Sequence, residues 1–183
     1  MEVAGIFFVK KQQRSDKMGK EEFTAEEKQQ FIEYMRNNKA LEKKLKRWDR
    51  SHNNPDYFIE MIEAMAKRDE EQGGLIISVK SDEIPTGAEN IEFFILDKYK
   101  RMNMNYAEAP SGKKYIMVFI SRKEFKECND TSGIVMFIGD VIDLALITEQ
   151  TDGIVVNAGK HGIAFDRVIL RAIKECIELK INL

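Results

Sequence analysis

The chain has 183 residues, enough for one ordinary domain with an appendage, and 43% are hydrophobic, which supplies a sizeable core and argues against wholesale disorder. A formal net charge of −2 argues against a globally basic nucleic-acid binder, although residues 1–50 carry 13 Lys+Arg against 9 Asp+Glu, a local +4 that leaves −6 for the rest. Two cysteines, Cys128 and Cys176, in no Cys-x-x-Cys pair, make no disulfide framework and suit ordinary thiols in a reducing cytoplasm.

The apolar run Val3–Val9 has no basic region before it and no small-residue cleavage site after it, and it is too short to span a bilayer. Residues 1–9 are expected to form a short strand or packing arm, and the polar stretch from Lys10 to Glu22 to be mobile. Thr24 and Glu27 form a capping-box pair that predicts a helix start. Phe31, Met35, Leu41, Leu45 and Trp48 then share one face of a single helix reaching residue 49, provided a gap at Asn38 is bridged. Its other face is basic (Lys39, Lys43, Lys44, Lys46, Arg47), as suits the solvated side of a helix docked on its own domain.

Asn54-Pro55-Asp56 predicts the next helix. Asparagine caps, proline fills a first-turn position that needs no N–H, and aspartate meets the positive helix end. Phe58, Met61, Ile62 and Met65 form its inward stripe, and Gly73-Gly74 its stop. Strands are expected at Leu75–Val79 and Ile91–Leu96, with a turn at Pro85–Gly87 between them. A half-exposed strand turns Met102, Met104 and Tyr106 inward and Arg101, Asn103 and Asn105 outward.

Pro110–Gly112 turns this strand back into Tyr115–Ile120, whose unbroken apolar run reads as a strand covered on both faces. Ser121 and Glu124 form a second capping box directly after it. A loop over Asn129–Gly133 leads to the apolar run Ile134–Ile138, and Asp140 is expected to cap a helix. Ile154–Val156 is a short buried strand followed by the turn Asn157–Gly162. Asp166 caps a final helix with Ile169, Leu170, Ile173 and Ile177 inward. The order of elements predicts an α+β fold: a mixed, largely antiparallel sheet with packed helices, plus an N-terminal helical extension.

Catalytic chemistry finds little support. Gly159-Lys160 has neither the upstream glycine spacing nor the following hydroxyl of a phosphate loop. His52 and His161, the two histidines, lack metal-ligand company, so no metal and no cofactor are expected. Asp140 and Asp143 sit where helix capping explains them.

The run from about Asp56 to Lys180 resembles the N-terminal domain of the SseB family, bacterial proteins named for enhanced serine sensitivity. The residues that carry the resemblance are Val118-Phe-Ile-Ser121 with Glu124, and Gly153-Ile-Val-Val-Asn157-Ala-Gly159. Ile120 and Ala158 stand where the family usually has threonine and proline. The resemblance implies a fold more than an activity. We therefore expect residues 1–55 to form an arm and basic amphipathic helix packed on a domain at 56–183.

The expected function is a cytoplasmic, non-catalytic module that binds another protein, without nucleic acid or membrane. Its expected surface is Ser121 and Arg122 with the turn residues Asn157, Gly159, Lys160 and His161, because buried strands feeding exposed loops commonly present functional groups. The alternative is a small-metabolite-binding domain, or an enzyme with a nonstandard site near 157–162 that uses His161, Lys160 or Cys128.

Overall fold

The computed structural model describes residues 38–80, 103–128, 132–159 and 162–179, the backbones of strands at 7–12 and 90–95, and the single positions Gln29 and Met35. The described elements run β1 (Phe7–Gln12), α1 (Asn38–Asp49), α2 (Pro55–Glu70), β2 (Gly74–Lys80), β3 (Asn90–Ile95), β4 (Asn103–Met104), β5 (Tyr106–Glu108), β6 (Lys114–Phe119), α3 (Arg122–Glu127), β7 (Ser132–Phe137), α4 (Ile138–Ile147), β8 (Gly153–Val156), β9 (Ile163–Asp166) and α5 (Arg167–Leu179). The strands form one sheet in the order β3-β1-β7-β2-β6-β8-β9, with β4 added to β2 and β5 to β6. The β6–β8 pair is parallel and the other described pairs are antiparallel. This is the α+β architecture with a mixed, mostly antiparallel sheet that the order of elements predicts.

Strand β6 is covered on both faces. Ile116, Val118 and Ile120 join the main core, whereas Phe119 faces a smaller cluster with Ile76, Phe125 and Val135. The main face is packed by Leu41, Leu45 and Trp48 of α1, Met61, Ile62 and Met65 of α2, Val141, Ile142 and Ala145 of α4, and Leu170 and Ile173 of α5. Trp48 stacks on Phe165 of β9 at 5.4 Å between centroids and also meets Phe58 of α2 at 5.8 Å.

Several local expectations are corrected. The helix read from Thr24 through Asn38 is not continuous: Met35 lies in a turn and packs with the smaller cluster, while α1 begins at Asn38 and packs on the opposite face of the sheet. Asn38 marks the crossing and is buried because its amide bonds backbone groups at the sheet's end. Phe31 and the Thr24–Glu27 pair lie outside the described residues, as does the Pro85–Gly87 turn. Of the stretch expected to be mobile, Lys10–Gln12 belong to β1, which pairs with both β3 and β7.

The phase of the strand around Asn105 is inverted at that residue, with Asn105 buried and Tyr106 exposed. The chain changes partners there, from β2 on one side to β6 on the other. Asn105 sits in the fork, donating its N–H to Ser78 O at 2.9 Å, accepting from Met117 N–H at 3.1 Å, and donating its side-chain amide to Ser78 Oγ at 2.8 Å. Three bonds offset the desolvation that alternation alone would avoid.

Helix ends show the same contrast between local and long-range control. Asn54 accepts from Asp56 N–H at 3.0 Å, and Asp166 accepts from Val168 and Ile169 N–H at 2.9 and 3.0 Å, as their positions predict. Asp140 does not cap α4. Strand β7 runs into that helix without a loop, Phe137 occupies the cap position, and Asp69 at the end of α2 accepts from Gly139 N–H at 2.7 Å instead. Burial pushes the Asp69 carboxyl up from its ordinary value, the Gly139 N–H partly offsets this, and nearby Asp140 and Asp143 add to the rise. Helix α2 turns off at Gln72, which takes φ 57, rather than at the two glycines. Gly73 is needed for a different reason, since a Cβ there would lie 2.5 Å from Arg68 Cγ.

Candidate functional site

The expected surface lies at the C-terminal end of the parallel pair β6–β8. Ser121 leaves β6 in extended conformation (φ −135, ψ 153), and its Oγ accepts from Glu124 N–H at 3.3 Å, so the serine half of the predicted box starts α3. Phe125 then packs edge-on against Phe119 at 5.4 Å, fixing α3 on the smaller cluster. Loss of the cap in Ser121→Ala is expected to lower stability by about 1 kcal/mol, measured by urea denaturation. An unchanged midpoint would show that Phe125 alone holds the helix.

Strand β8 ends beside this corner. Asn157 adopts φ 54, a left-handed conformation that asparagine tolerates better than most residues. Its N–H donates to Val118 O at 2.7 Å, and its Oδ1 accepts from Ile120 N–H at 3.1 Å. Gly159 N–H closes back on Asn157 O at 2.6 Å. Ser121, Arg122, Asn157 and Gly159 are thus brought to one place. Lys160 and His161 lie outside the described residues. Arg122 is exposed, and a Cβ on Gly159 would meet nothing nearer than 4.0 Å, so the turn is open on that side.

Two further residues hold this place: Cys128, expected only as a nucleophile of the alternative reading, and Asn38, which the sequence does not single out. Cys128, at the end of α3, donates its thiol to Ala158 O at 3.3 Å and ties the corner to the turn. Burial pushes that thiol up from its ordinary value, which keeps it protonated. On the other side Asn38 donates to Ile120 O at 2.8 Å and to Gly74 O at 3.0 Å, and accepts from Arg68 Nε at 2.8 Å. Both backbone groups of Ile120, the residue before the corner, are therefore held by asparagine side chains. The available signal is a polar residue interrupting the apolar stripe of the longer helix expected from Thr24.

The cations of α1 are divided by the packing. Lys44 and Arg47 turn toward α2 and reach Glu60 at 2.7 and 3.1 Å, and the Lys44 ammonium leads in holding that carboxyl below its usual range. Arg47 also lies 3.9 Å over the Tyr57 ring. Among the described residues, no group of three or more His, Cys, Asp or Glu is placed to hold a metal ion, and no helix is long and apolar enough to cross a membrane.

The family model for the SseB protein N-terminal domain matches residues 41–172, from within α1 to within α5. No curated protein and no solved structure matches the chain. The match takes in the corner, the turn and the helix that Trp48 anchors to Phe165.

Proposed function

The chain belongs to the SseB family, and we propose that it works in the cytoplasm as a non-catalytic module that binds another protein through the Ser121–Arg122 corner and the Asn157–Gly162 turn. The observation that carries this reading is the double clamp on Ile120, whose N–H is taken by Asn157 and whose C=O is taken by Asn38. Ser121 and Asn157, which open the corner and the turn, are thereby held on one fixed base, and recognition gains affinity when the base of a contact surface is set before binding. The Asn157 Oδ1 is already used within the fold, so the turn would contact a partner through Gly159, Lys160 and His161. Cys128 is a poor nucleophile in this setting, because its proton is directed at Ala158 O and burial disfavours the thiolate.

The double variant Lys160→Glu with His161→Ala is expected to weaken capture of a lysate-derived partner severalfold while leaving the melting temperature unchanged. Undiminished capture by a stable double variant would remove the turn from the interface.

A further inference from the structure

We propose that a second surface, the outward stripe of α1 together with α3, receives an acidic segment of the protein partner. Lys39, Lys43 and Lys46, continued by Arg50 just past the helix, recur at intervals of four, three and four, which places them on one face. All four are exposed, opposite the buried Leu41, Leu45 and Trp48. Docking of the helix uses the other two cations, since Lys44 and Arg47 are the ones that reach Glu60 of α2. Lys46 pairs with Glu42 of its own helix. Among the described residues, Lys39, Lys43 and Arg50 have no carboxylate within ion-pair distance. The fold therefore leaves positive charge on this face beyond what holds the helix down.

The stripe adjoins the corner. Asn38, one residue before Lys39, bonds Ile120 O, one residue before Ser121. Helix α3 adds the exposed cations Arg122, Lys123 and Lys126. The hydrogen bond to Glu42 raises the proton affinity of the Lys46 ammonium above its ordinary value, and Glu124 of α3 adds a smaller contribution. Charge complementarity selects the occupant. The carboxylates of Glu42, Glu124 and Glu127 interrupt the patch, which penalises a continuous phosphate backbone or an anionic bilayer. A short flexible acidic peptide can set its carboxylates on the cations and turn away from these glutamates. The proposal rests on the protein-binding reading above and supplies the chemistry of the partner.

The test titrates the full chain with fluorescein-labelled octaglutamate at physiological ionic strength, where exposed charges further apart than about 8 Å are largely screened. The stripe variant Lys39→Glu/Lys43→Glu/Arg50→Glu is compared with a control of equal charge change elsewhere, Lys80→Glu/Lys113→Glu/Lys114→Glu. Octaglutamate is expected to bind the unaltered chain saturably, and the stripe variant to bind about tenfold or more weakly because attraction becomes repulsion. The control variant is expected to bind within about twofold of the unaltered chain. Should charge reversal disturb folding, the neutral pair Lys43→Gln/Arg50→Gln carries the comparison, with a smaller loss expected.

No saturable binding, or equal loss in stripe and control variants, overturns the proposal. Tighter stripe-dependent binding of oligothymidylate or of phosphatidylglycerol vesicles than of the peptide overturns the partner class. The two readings fail separately. A lysate partner lost by the Lys160→Glu/His161→Ala variant, with octaglutamate binding indifferent to the stripe, sinks the acidic-segment proposal alone. Stripe-dependent octaglutamate binding, with a lysate partner captured undiminished by the Lys160/His161 variant, sinks only the turn's role.

Discussion

Replacing Asn38 by alanine is expected to destabilise the fold by about 3 kcal/mol, because it strands several buried polar groups at once. The carbonyls of Gly74 and Ile120 lose their amide donor, and the Arg68 guanidinium loses the acceptor for its Nε. Arg68 is only 6% exposed, so water cannot easily replace that acceptor. Burial already pulls the Arg68 proton affinity below its ordinary value, with Glu71 opposing the change. For a chain of this length the loss corresponds to a fall in melting temperature of about 10 °C. Asn38→Asp separates the contributions. Its carboxylate can accept from Arg68 but faces two carbonyl oxygens, and it is expected to be about as damaging as alanine. Calorimetry showing either variant within about 1 kcal/mol of the parent would mean that the sheet end closes without the asparagine.

Trp48→Ala is expected to cost about 3–5 kcal/mol, the range for emptying a large aromatic site in a core. Trp48 is 7% exposed, lies near-parallel to Phe165 with an interplanar angle of 18°, and meets Phe58 and the edge of His52. It therefore joins α1 to α2 and to β9, the last strand at that edge of the sheet. Trp48→Phe keeps most of the contact and should cost roughly half as much or less. Urea unfolding followed by circular dichroism measures both variants. A loss under about 1 kcal/mol for the alanine variant would show that α1 is held by its ion pairs with Glu60, a weak hold for exposed charges.

These two residues illustrate how far the sequence could be read. Trp48 was legible, because an aromatic at helical spacing from Leu41 and Leu45 has one economical place to go. Asn38 was not. It breaks the apolar stripe and reads as a gap in a longer helix, whereas it is the residue around which the chain passes from one face of the sheet to the other. A polar side chain in a helix pattern carries no local record of the carbonyls it will meet. Asn38 lies 36 positions from Gly74 and 82 from Ile120 along the chain.

The candidate site divides the same way. Ser121, Asn157 and Gly159 could be picked out because each follows a buried strand and carries a turn or cap chemistry of its own. Their adjacency, and the Cys128–Ala158 bond that joins them, required the parallel pairing of β6 with β8.

The sequence by itself determined the α+β class, the doubly covered strand at Tyr115–Ile120, and the caps at Asn54, Ser121 and Asp166, because periodicity and capping act over a few residues. Tertiary structure alone decided the inward turn of Asn105, the capping of α4 by Asp69 and the crossing at Asn38. In each of these a buried or half-buried polar group is satisfied by a partner far away in the chain, and the desolvation cost of leaving it unpaired outweighs the local pattern.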